Sequence, residues 1–212
     1  MCCISSATEA MMALDAGADA LGLVSAMPSG PGVISEALIA EVIAAVPRET
    51  DTFLLTSATT ADAIIAQHRR CPAHTLQLVD AVPLATYDAL RRALPDVRLV
   101  QVIHVVDATA LDEAQAVALH VDAVLLDSGN PNLAVKELGG TGRAHDWSVS
   151  RAIVEPVAVP VWLAGGLRAE NVAEAIRMVQ PHGLDLCSSI RTEGQLDAEK
   201  LAMFMHAVAQ AA

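Results

Sequence analysis

The chain has 212 residues, of which 53% are hydrophobic and only 2% aromatic, and its formal net charge is −12. This length suits one α/β barrel, whose interior Ala, Val, Leu and Ile side chains would have to fill. The acidic balance argues against a nucleic-acid groove, which needs a basic surface. Any bound phosphate must therefore be held by local groups.

Short apolar runs alternate with amphipathic segments along the whole chain. The apolar runs predict eight strands, at residues 2–4, 18–24, 52–57, 75–79, 98–104, 123–128, 161–164 and 184–188. Apolar residues at three- and four-residue spacing predict helices between and after them, at residues 7–16, 36–46, 61–70, 84–94, 111–120, 147–154, 171–179 and 198–211. Eight strand–helix pairs without a linker predict an α/β fold, a (β/α)8 TIM barrel that forms a single domain over residues 1–212.

The first predicted strand begins at residue 2, which leaves little room for a full strand.

No apolar run approaches the roughly 20 residues that span a bilayer, and the first residues lack the charged start and long apolar run of a signal peptide. We therefore expect a cytoplasmic protein that contacts neither membrane nor nucleic acid. The four cysteines, at positions 2, 3, 71 and 187, have no metal-binding or disulfide spacing, so we expect reduced thiols and no bound metal.

Three passages rich in glycine and serine lie in the last third of the chain: GGTGRAHDW (139–147), LAGGLRAENV (163–172) and LDLCSSIRTEG (184–194). The second and third follow strand-like runs, where free backbone N–H groups and the positive end of a following helix bind anions. Paired glycines and paired serines indicate backbone drawn close to a ligand, because a helix cap needs only one such residue. The predicted phosphate-binding residues are Gly140, Gly142, Gly165, Gly166, Ser188 and Ser189.

Catalytic groups of such barrels come from the carboxyl ends of strands. Asp127 ends the run AVLLD, and a carboxyl buried in the barrel mouth keeps its proton more readily and suits a general acid. An equal alternative is that Asp127 caps the adjoining loop.

Cys2 and Cys3 lie on the first predicted strand. A thiolate can act as a base for a carbon-bound proton, although most free cysteines are small core residues. Side chains alternate along a strand, so only one of the two is expected to face the interior. Cys71 and Cys187 are interpreted as structural.

The motifs GADALGLV, LQLVD, VLLDS, ELGGTGRAHDW, LAGGLRAENV and LDLCSS, in this order, resemble those of the phosphoribosylanthranilate isomerase family of (β/α)8 barrels, and the resemblance runs from end to end. It implies a cofactor-independent aldose–ketose isomerase of tryptophan biosynthesis. The implied reaction is the Amadori rearrangement of N-(5'-phosphoribosyl)anthranilate, a small phosphorylated sugar derivative, to the carboxyphenylamino-deoxyribulose phosphate. Family members occur as monomers and homodimers, and the sequence does not decide between them.

The resemblance also implies a catalytic pair. The family's acid, at the end of the sixth predicted strand, corresponds to Asp127. Its base cysteine corresponds to Cys2 when the following helix and GADA are aligned without a gap, and Cys3 then replaces a glycine.

Two departures concern the aromatic half of the implied substrate. Gly32 stands where the family has an arginine that meets the anthranilate carboxylate, and Val79 stands where it has a histidine. Candidates for a replacement cation are Arg143, Arg168 and Arg191, although each is more often a solvated loop residue. Two alternatives stay open: a related isomerase or lyase acting on another phosphosugar, and a noncatalytic protein that binds a phosphorylated metabolite.

Overall fold

The computed structural model describes residues 1–211, along which strands and helices alternate. Seven parallel strands form one sheet in chain order: β1 (Ala20–Val24), β2 (Asp51–Thr56), β3 (Thr75–Leu78), β4 (Arg98–His104), β5 (Ala123–Asp127), β6 (Val161–Leu163) and β7 (Gly183–Leu184). The helices are α1 (Ala7–Asp15), α2 (Glu36–Ala45), α3 (Ala61–Arg70), α4 (Leu84–Ala93), α5 (Ala110–Val117), α6 (Trp147–Val154), α7 (Val172–Val179) and α8 (Ala198–Ala211). Strands β8 (Arg191–Thr192) and β9 (Gln195–Leu196) form a small antiparallel hairpin before α8.

Side-chain alternation along the strands produces two hydrophobic layers. In β5, Val124 and Leu126 pack into the layer that also contains residues of the helices. Ala123 and Leu125 pack into the second layer, inside the barrel. Asp127 continues this inward series, because successive side chains of a strand point to opposite faces.

Several helices begin where serine or aspartate caps the chain. Ser6, Ser35 and Asp146 each accept a hydrogen bond from a backbone N–H of the first turn of α1, α2 and α6. Such caps satisfy donors that have no partner within the helix. None of the described helices has the length and apolar character needed to cross a membrane.

Residues 1–4 fill the gap between β7 and β1 without forming a regular strand. The Cys2 N–H donates to Leu186 O at 3.0 Å, and the Ile4 N–H donates to Gly22 O at 3.1 Å. Cys3 has φ of 63°, in the left-handed region, which interrupts the extended backbone.

The predicted (β/α)8 fold is thus confirmed, with seven regular strands and one irregular closing segment in the described chain. Two predicted strands differ. The first is the short bridge of residues 2–4, and the last is limited to β7 because Ser188–Ile190 turns into a 3-10 helix.

A buried ion pair holds this closing segment in place. Arg191 Nη1 lies 3.0 Å from Glu9 Oε1, and the two side chains are only 7% and 10% exposed. Arg191 also donates to Cys3 O, while Glu9 accepts from the N–H groups of Ser5 and Leu196 at 2.9 and 2.8 Å. The pair therefore joins α1, the closing segment and the β8–β9 hairpin.

The hydrogen bonds of Glu9 decide its ionisation. Burial by itself raises the pKa of Glu9, but the Arg191 guanidinium and the two N–H donors outweigh burial and hold the pKa below its ordinary value. The carboxylate is therefore the form that the fold stabilises.

Glu9→Gln is expected to lower the free energy of unfolding by about 3–5 kcal/mol at neutral pH, because it leaves a buried guanidinium without its counter-charge. The control Glu155→Gln breaks the exposed Arg151–Glu155 pair and should cost no more than about 0.5 kcal/mol. Urea unfolding of both variants measures the difference, and equal losses would contradict the role assigned to the buried pair.

The lowered pKa of Glu9 determines how the stability difference between wild type and Glu9→Gln depends on pH. A carboxyl with a lowered folded-state pKa contributes stability above its unfolded pKa and loses it as the pH falls through the folded pKa. The difference in free energy of unfolding between the wild type and Glu9→Gln should therefore decrease as the pH drops below 4.5, the ordinary pKa of this side chain.

Candidate functional site

A cavity opens at the carboxyl ends of the strands, and it collects nearly all of the predicted site residues. Its lining includes Cys2, Asp127, Gly140, Gly142, Gly165, Gly166 and Ser188. Ser189 lies next to this lining but does not belong to it, and its buried hydroxyl has no hydrogen-bond partner among residues 1–211. Residues that are far apart in the sequence thus share one site.

Asp127 caps the adjoining loop and also lines the cavity. Its Oδ1 accepts a hydrogen bond of 2.6 Å from the Ser128 N–H, which caps the start of the following loop. Its Oδ2 lies against Gly139, where an added Cβ would come within 2.4 Å of this oxygen. The carboxyl is 8% exposed and lines the cavity. It is therefore anchored through one oxygen, and the glycine leaves room for the other.

Three thiols meet at the cavity. Cys2 and Cys3 both line it, with their sulfur atoms 3.6 Å apart, and Cys187 lines it as well. The expectation that only one of the adjacent cysteines faces the interior is wrong, because the left-handed backbone at Cys3 breaks the alternation. Of the two cysteines interpreted as structural, Cys187 lines the cavity, whereas Cys71 is fully buried in the layer between helices and sheet.

The thiols influence one another's ionisation. A hydrogen bond with Cys3 lowers the pKa of Cys2, but burial and the charges of Asp185 and Cys187 outweigh it, so the pKa is raised. Hydrogen bonds to Cys187 and Cys2 raise the pKa of Cys3. The hydrogen bond between Cys3 and Cys187 lowers the pKa of Cys187. Burial opposes this lowering, and the Arg191 charge adds to it.

Within residues 1–211, no group of three His, Cys, Asp or Glu side chains is placed to hold a metal ion.

Asp185 is a cavity residue that the sequence patterns did not single out. It lines the cavity, and burial together with the nearby Asp127 charge raises its pKa to about 6. A signal was present, since Asp185 is the one charged residue within the apolar run LDLC. The charge of Asp185 in turn contributes to the raised pKa of Cys2.

The three glycine- and serine-rich passages converge as predicted from their motifs. A Cβ at Gly166 would meet Ala144 N at 2.5 Å, and one at Gly142 would meet Ser188 Oγ at 3.6 Å. Gly165 and Gly166 have φ of 85° and 62°, which glycine adopts without strain. Their N–H groups have no protein acceptor within the described chain. The loops therefore bring free backbone donors to one end of the cavity.

Gly32 and Cys3 are linked by packing. A Cβ at Gly32 would lie 2.5 Å from Cys3 Cβ and 2.8 Å from its sulfur. Gly32 also has φ of 80°, which disfavours any side chain. Cys3 and Gly32, the two positions at which the resemblance implies departures from the family, are thus sterically coupled.

A cation that no sequence motif indicated lies beside the cavity, outside its lining. Lys136 Nζ lies 2.6 Å from Asp80 Oδ2, and Asp80 directly follows Val79 of the cavity wall. The Ser29 hydroxyl donates to Lys136 O at 2.6 Å. No sequence pattern could reveal this pair, because 56 residues separate its members.

The three arginines considered as replacement cations each pair with a glutamate. Arg191 is buried against Glu9. Two others are exposed and pair within their own loops, Arg143 with Glu137 and Arg168 with Glu170.

Comparison with known proteins agrees with this geometry. The family model described as N-(5'-phosphoribosyl)anthranilate (PRA) isomerase matches residues 1–207. The protein named N-(5'-phosphoribosyl)anthranilate isomerase 2 from Methanosarcina mazei is 33% identical over 208 residues, which cover 97% of this chain and 91% of that relative. The N-(5'-phosphoribosyl)anthranilate isomerase from Haloferax volcanii is 36% identical over 195 residues, 92% of this chain and 84% of that relative.

Solved structures confirm the barrel fold. Phosphoribosyl anthranilate isomerase from Thermus thermophilus superposes with a TM-score of 0.83 at 21% identity, covering 100% of this chain and 98% of that one. A second isomerase structure, in complex with reduced 1-(o-carboxyphenylamino)-1-deoxyribulose 5-phosphate, gives a TM-score of 0.79 at 20% identity over 99% of this chain and 96% of that one. With a family match over nearly its entire length, the chain belongs to the N-(5'-phosphoribosyl)anthranilate isomerase family.

Proposed function

We propose that this chain catalyses the Amadori rearrangement of N-(5'-phosphoribosyl)anthranilate, a step of tryptophan biosynthesis, with Asp127 as general acid and Cys2 as general base. One observation carries the assignment of roles. The cavity that contains the carboxyl and the thiol also contains the converging glycine and serine loops. A phosphosugar held at these loops would present its sugar carbons to both groups.

Asp127 would start the reaction as the acid. Its proton is transferred to the ring oxygen of the ribose, the bond between this oxygen and the anomeric carbon breaks, and the nitrogen lone pair forms the iminium ion. The Ser128 N–H fixes one carboxyl oxygen, so the Oδ2 beside Gly139 is the oxygen proposed to carry the proton. Positioned proton transfer of this kind typically contributes about 10²–10⁴-fold in rate.

Cys2 would complete the reaction as the base. Its thiolate removes the proton from the neighbouring sugar carbon, and the resulting enolamine tautomerises to the ketone. The environment raises the pKa of Cys2, which makes the thiolate a stronger base once it forms. The oxidation of one sugar carbon balances the reduction of its neighbour within the substrate, and protons are exchanged with Asp127 and Cys2, so the proposed chemistry needs no cofactor.

The phosphate is proposed to bind at the loops after β5, β6 and β7. Gly165 and Gly166 offer free N–H groups, and Gly140, Gly142 and Ser188 line the same end of the cavity. Ser189, with its unpartnered buried hydroxyl, would support this loop from behind. Local donors suit a chain with a net charge of −12, whose overall field repels anions.

The proposal covers residues 1–212 as one catalytic domain acting in the cytoplasm, with the four thiols reduced. All residues of the proposed site come from one chain, so a monomer and a homodimer would work in the same way.

The direct test incubates purified protein with freshly prepared N-(5'-phosphoribosyl)anthranilate and follows the loss of its fluorescence. The Cys2→Ala/Asp127→Asn double variant serves as the blank. Turnover above this blank supports the proposal, and equal rates would exclude it.

Cys2→Ala is expected to lower kcat by about 10²- to 10⁴-fold, because it removes the proposed base. Cys3→Ala makes the same change one residue away and should cause a much smaller loss. Calorimetric titration with reduced 1-(o-carboxyphenylamino)-1-deoxyribulose 5-phosphate should show similar affinity for both variants. If Cys3→Ala had the larger effect on kcat, the base would be assigned to the wrong cysteine.

Gly139→Ala is expected to lower kcat at least about tenfold, because the new Cβ would displace the Asp127 carboxyl. Gly194→Ala is a matched control: Gly194 also has positive φ, but a Cβ added there would meet no atom within 4 Å. Both variants should lose similar stability in urea unfolding, while only Gly139→Ala loses turnover. Comparable losses of kcat in the two variants would argue against the role of Asp127.

A further inference from the structure

The proposed substrate carries two anionic groups at opposite ends, and this inference rests on that proposed function. The phosphate faces free backbone donors, whereas the carboxylate on the aromatic ring needs a partner of its own. A buried anion without a partner is costly. Among residues 1–211, the lining of the cavity includes the carboxyls of Asp127 and Asp185 and no lysine or arginine, so a cation from beside the cavity is needed at the aromatic end.

The fold leaves few cations for this role. Arg191 is bound to Glu9 and to the carbonyls of Cys3 and Gly194. Arg143 lies at the phosphate end, because its backbone touches Gly166. Arg168 begins the turn after the same glycine pair, with its N–H bound to Asn171. These three arginines are therefore buried or placed at the wrong end.

Lys136 lies beside the cavity lining, on the side opposite the loop after β7. The barrel has seven strands in chain order plus the closing segment of residues 1–4, so β3 stands four positions from β7 in both directions. Asp80, after β3, therefore lies across the mouth from the loop after β7, and it holds the Lys136 ammonium at 2.6 Å. Ser29, whose hydroxyl donates to the Lys136 carbonyl, is itself part of the cavity lining.

The ammonium has capacity for a second anion. It carries three donors, of which Asp80 receives one, and its side chain is 46% exposed. Asp80 is itself fixed, because its Oδ1 accepts from the Ala81 N–H at 2.9 Å. We propose that Lys136, oriented by Asp80, binds the carboxylate on the aromatic half of the substrate and so determines specificity for an anthranilate over an aniline.

The test compares two ligands by calorimetric titration: the reduced carboxyphenylamino-deoxyribulose 5-phosphate and the same compound made from aniline, which lacks the carboxylate. Lys136→Met should weaken binding of the first ligand about 10- to 100-fold, the range for a lost charge-assisted hydrogen bond, and leave the second unchanged. Lys136→Arg should retain most of the affinity. In turnover, Lys136→Met should raise KM much more than it lowers kcat.

Arg143→Met is the matched control, since it removes a positive charge from the same loop at the phosphate end. Any change that Arg143→Met causes in affinity should be equal for both ligands. Asp80→Asn should weaken binding of the ligand that carries the carboxylate when Lys136 is present. It should have no further effect on this affinity in the Lys136→Met background, because Asp80 acts through the lysine.

The outcomes separate this inference from the proposed function. Wild-type protein that binds and turns over its substrate, combined with equal affinity of Lys136→Met for the carboxylate ligand, would overturn the role of Lys136 alone. Wild-type protein that neither binds the carboxylate ligand nor turns over the substrate would overturn the proposed function. An equal loss for both ligands in Lys136→Met would show that the lysine acts on the fold and not on the carboxylate.

Discussion

The buried pair of Glu9 and Arg191 is the constraint on which the barrel closure depends. A closed barrel normally obtains its stability from an uninterrupted ring of strand pairs, but here the segment of residues 1–4 makes only a few backbone hydrogen bonds to its neighbours. The ion pair adds further connections, since Arg191 donates to Cys3 O, and Glu9 accepts from the N–H groups of Ser5, next to this segment, and Leu196 of the hairpin. The position of Cys2, the proposed base, therefore depends on two charged residues outside the cavity.

The cavity shows how backbone conformation sets the chemistry of side chains. Gly139 leaves space for one oxygen of Asp127, and Gly165 and Gly166 adopt backbone angles that expose their N–H groups. In each case the absence of a side chain makes this arrangement possible. Substitution at these glycines would act on the neighbouring group through sterics and strain, and not through lost contacts.

The unusual residues at positions 3 and 32 belong together for a steric reason. The sulfur and Cβ of Cys3 occupy the space that a side chain at position 32 would need. Once Cys3 is present, the loop after β1 cannot supply a cation from that position. Lys136, the proposed partner of the substrate carboxylate, pairs with Asp80 on another loop, so this proposed role requires no change in the positions of the proposed acid, base and phosphate loops.

The sequence by itself determined the barrel, the strand that carries Asp127 and the three glycine- and serine-rich loops of the cavity, because these depend on local patterns: apolar periodicity, strand-end carboxyls and paired glycines. Tertiary structure alone decided the rest. The left-handed Cys3 placed both neighbouring thiols in the cavity, folding brought Cys187 and Asp185 beside them, and Lys136 reached Asp80 across 56 residues. These contacts join segments that are distant in the chain, and their geometry depends on how the barrel closes, which no local sequence pattern encodes.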